Sequence, residues 1–288
     1  MTKTILVTGA TGKQGGAVVD TLIKENADFE ILALTRDATS GSAQRLAKKS
    51  DKIKLVTTSP IWGVFSVQVA IGGSGKDAEF TQGRDLVDAA LKAGVKHFVY
   101  SSVDRHGAAS IDNPTNIPHF IHKHKIEKHL IKSTAQGQMD WTILRPVAFM
   151  ENFTDNFFGR VMASAWRSVV KDKPLQLIAV PDIGVFGAKA FLHPEEYKGR
   201  AISLAGDELT LEQLNRIFQK QTGKNAPETY GVLARLIMWL SKDFGYMFQW
   251  FYDVGYDADI AELRKIHPGL KNFETWLAED SDFARKDK

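Results

Sequence analysis

The first half of this sequence predicts an α/β fold, a doubly wound parallel sheet followed by a smaller mixed α/β lobe. Three observations carry that prediction. Short apolar runs alternate with helix-length segments from Thr4 to Leu144, a glycine-rich turn joins the first run to the first helix, and the alternation loosens after Pro146. Strands alternating with helices of about 10–15 residues build βαβ units, whose parallel sheet is covered on both faces. The expected division is a larger domain over residues 1–148 and a C-terminal lobe over 149–288. No repeat or low-complexity linker separates them, so the two are expected to pack directly.

Thr4-Ile5-Leu6-Val7-Thr8 reads as a buried strand, and Gly15 to Asn26 as a helix with Val18, Val19, Leu22 and Ile23 on one side. Glu30 to Thr35 is a second strand, Ile53 to Val56 a third and Gly63 to Val67 a fourth. A helix from Phe80 to Ala93 precedes the strand His97-Phe98-Val99-Tyr100-Ser101. A further helix covers Lys123 to Ser133 and leads to the strand Trp141 to Leu144. In the second half, Leu175 to Val180 is the one strand signal. Thr210 to Thr222 is an amphipathic helix with Thr210 as N-cap and Gly223 as its stop. The aromatic stretch from Ile237 to Tyr256 is expected to be core between the lobes, with an exposed part as partner surface the alternative.

One passage resists this scheme. In a 3-2-1-4-5-6 sheet the chain must cross three strand spacings between strands three and four, about 14 Å. It must also return along a strand length of roughly 17 Å. Only Thr57 to Trp62 lie between Val56 and Gly63, and six extended residues reach about 20 Å. Either the Ile53–Val56 segment is not a full sheet strand, or a helix-bearing stretch is missing.

Composition excludes several classes. Of 288 residues 43% are hydrophobic and 25% charged, which is ordinary for a globular chain. A net charge of +3 is too small to argue for direct nucleic-acid binding. The absence of cysteine removes disulfides, thiolate metal sites and cysteine nucleophiles together. The most apolar stretch, Gly231 to Tyr256, is broken by Arg235, Lys242 and Asp243, so no membrane span is expected. No signal peptide is visible at the N-terminus, and a cytoplasmic location is expected, with the nucleus also open.

The most informative chemistry is Val7-Thr8-Gly9-Ala10-Thr11-Gly12-Lys13-Gln14-Gly15-Gly16, at the turn from first strand to first helix. Glycines at 9, 12 and 15 permit a tight turn, leave room for a pyrophosphate and let helix approach strand. The helix start then offers free N–H donors and the positive end of its dipole. In this position the pattern reads as a Rossmann-type dinucleotide site. At the end of the second strand stand Arg36 and Asp37. An arginine suits the 2′-phosphate of NADP and a carboxylate the ribose hydroxyls of NAD, so NADP is favoured and NAD stays open. Gly72-Gly73-Ser74-Gly75-Lys76 fails as a kinase-type phosphate loop, since Ala70 and Asp77 stand where Gly and Ser/Thr are needed.

GATGKQGG at the start, Thr35-Arg36-Asp37, Tyr100-Ser101-Ser102-Val103, Leu144-Arg145-Pro146 and Phe149-Met150-Glu151-Asn152-Phe153 together resemble the NmrA-like branch of the atypical short-chain dehydrogenases. Asp182-Ile183-Gly184 and the stretch from Trp250 to Leu277 resemble its fungal members. The resemblance implies a dinucleotide-binding domain with a smaller C-terminal lobe, in a family of both NAD(P)-sensing regulators and reductases. By motif match it implies cofactor contacts at Gly9, Ala10, Thr11, Gly12, Lys13, Gln14 and Gly15, at Arg36, at Val67 and Gln68, at Lys123, and at Phe149, Met150, Glu151 and Asn152. Relatives also carry an acidic segment after strand three that touches adenine, and this sequence lacks it. Ser101 and Ser102 stand where relatives place a pocket serine.

Catalysis is where the sequence departs from the superfamily. Active short-chain dehydrogenases use Tyr-x-x-x-Lys, a spacing that puts both side chains on one helical face. None of the six tyrosines here has lysine four residues later; the chain reads His119-Phe120-Ile121-His122-Lys123. Histidine moves protons near neutral pH, so His119 and Lys123 are the candidate catalytic residues. A His119 that only caps or packs, and a Lys123 that only clamps the ribose, are the plainer readings. The nitrogen-rich run to Lys132 reads as a solvated basic face, and no metal site is expected. Two functions follow. The favoured one is a cofactor-responsive regulatory protein with a protein partner; the alternative is an NADPH-dependent reductase of a small carbonyl or conjugated substrate using Lys123 and His119. The oligomeric state is not legible.

Overall fold

The computed structural model describes residues 2–55, 59–68 and 77–283. The chain forms two compact units. Unit 1 holds Met1–Val103, Ile121–Arg145 and Val180–Ile202; unit 2 holds Asp104–Phe120, Pro146–Ala179 and Ser203–Lys288.

Unit 1 is built on the alternation that the sequence shows. In order it comprises β1 (Lys3–Val7), α1 (Lys13–Lys24), β2 (Phe29–Ala33), α2 (Gly41–Ala47), β3 (Ile53–Lys54), β4 (Ile61–Ser66), α3 (Ala78–Lys92) and β5 (His97–Ser101). Next come α4 (Pro118–Ser133), whose first turn belongs to unit 2, and β6 (Asp140–Pro146). The seven-stranded sheet has the order β3-β2-β1-β4-β5-β6-β9, where β9 is the later strand Arg200–Leu204. Every pairing from β3 through β6 is parallel. This is a Rossmann-type doubly wound sheet. Central β5 is buried at all five positions, as a strand covered on both faces must be. Val64, Val87, Val95, Phe98, Ile126, Leu130 and Ile143 pack together between sheet and helices.

The passage after strand three resolves toward the first alternative. β3 is a two-residue stub that pairs only Ile53 with Ile31 and Lys54 with Leu32. Val56, at the end of the expected strand, lies outside the described residues, as does the Gly72–Lys76 loop.

Unit 2 carries a second sheet in the order β10-β8-β7, from β7 (Ala148–Phe149), β8 (Leu175–Ile178) and β10 (Asp207–Leu209). Its helices are α5 (Phe157–Ala165), α8 (Leu211–Thr222), α9 (Gly231–Leu240), α10 (Lys242–Asp253), α11 (Ile260–Ile266) and α12 (Phe273–Glu279). The helices α6 (Val180–Leu192) and α7 (Pro194–Tyr197) return to unit 1. There α6 lies so close to α1 that a Cβ at Gly184 would meet the Ala17 backbone at 2.5 Å. The core of unit 2 is aromatic: Phe273 stands 6.0 Å from Phe153, 5.8 Å from Phe218 and 5.4 Å from Trp276. The stretch from Ile237 to Tyr256 divides. Phe244, Phe248, Trp250 and Phe251 on α10 are buried, while Trp239 and Leu240, together with Val232 and Leu236 just before the stretch, form an exposed face of α9.

Candidate functional site

The glycine turn has the geometry its sequence demands. Gly9 adopts φ +59°, a left-handed conformation that only glycine takes without strain. Its carbonyl accepts from Gly12 N at 2.8 Å and closes the turn. A Cβ on Gly15 would sit 2.5 Å from the backbone of Thr8 and Gly9, so α1 starts hard against the end of β1. Gly12 is the N-cap of α1, and no side chain caps it. The end is therefore left with N–H donors of the kind that bind anions. Thr11, Gly12 and Lys13 are exposed, Ala10 is buried, and Gln14 accepts from Ser101 Oγ at 2.5 Å.

Two neighbouring strand ends complete this edge of unit 1. At β4, Val67 N donates to Thr8 Oγ1 at 2.8 Å and Thr8 Oγ1 donates back to Val67 O at 3.1 Å. This ties the strand end to the glycine turn. Gln68 Nε2 donates to Ser66 Oγ at 2.8 Å, and its buried Oε1 has no partner among the described residues. After β2 the two candidate side chains separate. Asp37 accepts from Thr39 N at 2.8 Å and Thr39 Oγ1 at 2.7 Å, and these bonds hold its carboxyl below the usual range. Its carboxylate is spent on the local turn. Arg36 is exposed and makes no hydrogen bond or ion pair among the described residues.

Helix α4 buries Phe120, Lys123, Ile126, Glu127 and Leu130, and leaves Lys125, Lys128 and Lys132 exposed. Pro118 opens the helix, five residues earlier than expected, which brings His119 onto it. In unit 1 the Lys123 ammonium lies 2.9 Å from Glu79 Oε1, and His122 approaches Asp77 at 3.4 Å and Glu79 at 3.8 Å. In unit 2, His119 Nδ1 lies 2.5 Å from Asp243 Oδ1, and its ring stands edge-on to Phe120. His119 Nε2 has no partner among the described residues. Sequence reading finds His119 and Lys123 but none of the carboxylates Asp77, Glu79 and Asp243.

The remaining candidates are placed in their own surroundings. Phe149 ends β7, and Met150, Glu151 and Asn152 form a single 3-10 turn in unit 2. Met150 is fully buried, and Glu151 accepts from Trp276 Nε1 at 3.0 Å. Ser101 and Ser102 are both buried and both engaged: Ser101 donates to Gln14, Ser102 to Glu127. The Glu127 carboxylate also receives Arg145 Nη2 at 2.7 Å and Nε at 3.2 Å.

A family model described as the NmrA-like family matches residues 1–277. The chain belongs to the NmrA-like family. Among curated relatives, an NmrA-like family domain-containing protein of Dictyostelium discoideum is 27% identical, over 96% of this chain and 97% of its own length. An NmrA-like family domain-containing oxidoreductase of Aspergillus hancockii is 30% identical, over 78% of this chain and 74% of its own. Among solved structures, NmrA, a negative transcriptional regulator, is similar in complex with NADP, with TM-score 0.69 and 17% identity over 100% of this chain and 98% of that one. NmrA is also solved in complex with NAD.

The edge at β1, β2 and β4 suits the group that the NmrA-like fold implies. A side chain at Gly15 would collide with the strand end, the start of α1 is uncapped, and Gln68 holds a buried carbonyl oxygen without a donor among the described residues. A dinucleotide needs such a turn, such a helix end and such polar atoms. Among the described residues no group of three His, Asp or Glu has metal-holding geometry, and no helix is long and apolar enough to cross a membrane.

Proposed function

We propose that this NmrA-like chain is an NADPH-dependent oxidoreductase that reduces a small carbonyl or conjugated substrate. The observation that carries the proposal lies on α4. His119 stands one helical turn before buried Lys123, in the Tyr-x-x-x-Lys spacing, with Nε2 uncommitted among the described residues. The oxidoreductase names of the fungal relatives support it.

Residues 1–148 hold most of the cofactor and 149–288 furnish the substrate side. Gly9, Ala10, Thr11, Gly12, Lys13, Gln14 and Gly15 with the start of α1 take the pyrophosphate, and Arg36 takes the 2′-phosphate. Val67, Gln68, Lys123, Phe149, Met150, Glu151 and Asn152 supply the remaining contacts. Reduced dinucleotide, when bound, supplies a hydride. Lys123 clamps ribose hydroxyls with an ammonium now leaning on Glu79. His119 passes a proton from Nε2 to the substrate atom that gains negative charge.

A second reading is favoured by the missing catalytic tyrosine: a regulatory protein whose cofactor occupancy changes its affinity for a protein partner. NADPH oxidation over a carbonyl and enone panel separates the two. Turnover that is lost in both Lys123→Ala and His119→Phe supports the reductase. Micromolar NADPH binding with no turnover across the panel replaces it by the regulator. For the cofactor, Arg36→Ala is expected to weaken NADPH about ten- to hundredfold, the roughly 1.5–3 kcal/mol of a charge-assisted phosphate pair, and to leave NADH unchanged. Equal losses for both would reassign Arg36.

A further inference from the structure

We propose that Asp243 is a positioning residue for His119, fixing which ring nitrogen carries the transferable proton; this rests on His119 being the proton donor. The carboxylate Oδ1 lies 2.5 Å from Nδ1, and both side chains are largely shielded, 12% exposed for His119 and 25% for Asp243. Asp243 can only accept when ionised, so Nδ1 must be the protonated nitrogen in the neutral ring. Nε2 is then the site that gains and loses a proton, and it has no competing partner among the described residues. The Phe120 ring, 4.6 Å from the imidazole, limits its rotation and is itself braced by Trp250 at 5.6 Å. A carboxylate behind an imidazole is a recurrent means of setting tautomer and ring orientation.

The proton balance is simple. With the ring doubly protonated, the Nε2–H bond breaks and its proton passes to the substrate oxygen that gains negative charge. The ring returns to its Nδ1–H form with that hydrogen still donated to Asp243, and solvent later reprotonates Nε2. Asp243 neither gains nor loses a proton.

Asp243 has another duty that must be told apart from this one. It lies in the first turn of α10, whose N-cap is Ser241, where any acid favours the helix dipole. A dipole role alone leaves the imidazole tautomer free. The test is nitrogen-15 NMR of imidazole-labelled protein at alkaline pH. In the intact protein His119 is expected to show protonated Nδ1 and bare Nε2; in Asp243→Ala the signals are expected to move toward the Nε2–H form. Bare Nδ1 in the intact protein, or an unchanged tautomer in the variant, overturns the proposal without any assay of turnover. In kinetics, Asp243→Ala is expected to lower kcat at least tenfold with the NADPH dissociation constant within twofold of the parent. Asp243→Glu, which keeps both the acid and the dipole contact, is expected to recover part of it. Full activity in Asp243→Ala while His119→Phe is inactive rejects Asp243 alone. Full activity in His119→Phe rejects the proton-donor reading and this proposal with it.

Discussion

Two carboxylates meet buried cations of unit 1, one turn apart along α4, and they behave differently. Glu127 is fully buried and receives the Nε–Nη2 edge of the Arg145 guanidinium, one donor on each oxygen, as well as the Ser102 hydroxyl. Glu79 is nearly as deep, yet Lys123 leans on it at 2.9 Å off the direction a hydrogen bond requires, so among the described residues neither Glu79 oxygen has one. His122 at 3.8 Å is too far to supply it. The planar fork of arginine is pre-organised for a carboxylate, whereas an ammonium on a four-carbon stem is a mobile point charge. The saturated pair therefore reads as a staple between α4 and β6. The unsaturated pair reads as a cation parked where another acceptor can claim it.

The largest expected effect tests the staple. Removing one partner of a buried, fully bonded pair leaves the other charge stranded, at about 3–5 kcal/mol. Glu127→Gln and Arg145→Met are each expected to lower stability by that much in denaturant titrations. The double variant Glu127→Met with Arg145→Met is expected to recover a good part, because no uncompensated charge remains. A cost below about 1 kcal/mol for either single variant would remove Glu127 from the structural side of the comparison.

Next in size is a buried group that is neutral by construction. His97 Nε2 lies 2.9 Å from Thr142 Oγ1, whose own hydrogen goes to Tyr197 O at 2.9 Å. Thr142 can then only accept, so Nε2 carries the proton. Buried Nδ1 has no partner among the described residues. Burial pulls the imidazole from its ordinary value of 6.5 down to about 4, against the weaker pull of Asp140 and Glu195. The unfolded chain binds this proton near 6.5 and the folded one only near 4, so stability is complete above 6.5 and falls as pH drops through that window. The loss between pH 7.5 and 4.5 is expected to be roughly 2–3 kcal/mol. In His97→Leu the denaturation midpoint should lose that part of its acid slope. An unchanged slope would mean that another group carries it.

Legibility followed the range of the interactions. The strand His97–Ser101 was readable to the residue, because its apolar run is bounded by Gly94 and a strand covered on both faces needs nothing else. Thr210 was readable as a cap because capping is local: it forms a complete capping box with Gln213, and Gly223 ends α8 at φ +72°. Reach arithmetic flagged β3, since a chain cannot exceed its contour length. The helix α2 was missed because seven residues with only Ala43 and Leu46 buried give no period to read. On α9 and α10 composition misled, as exposed Trp239 and buried Trp250 are the same residue type in neighbouring helices. The carboxylates of the site were the least legible. Asp243 lies 124 residues from His119, and only tertiary packing brings them together.

The smallest expected effect bears most directly on the comparison. If Lys123 is parked on Glu79, then Glu79→Gln releases an ammonium that its stem can swing toward water or a ligand. The cost is then below that of one charged hydrogen bond, about 1.5–3 kcal/mol, and well below that of a broken staple. Binding should move the other way, because a ribose no longer competes with a carboxylate for Lys123. A few-fold gain in NADPH affinity by calorimetry is expected for Glu79→Gln, against a loss for Lys123→Met. Should Glu79→Gln cost as much as Glu127→Gln and weaken NADPH as well, the lysine pair is a second staple. The contrast between the two pairs on α4 would then be one of geometry without consequence.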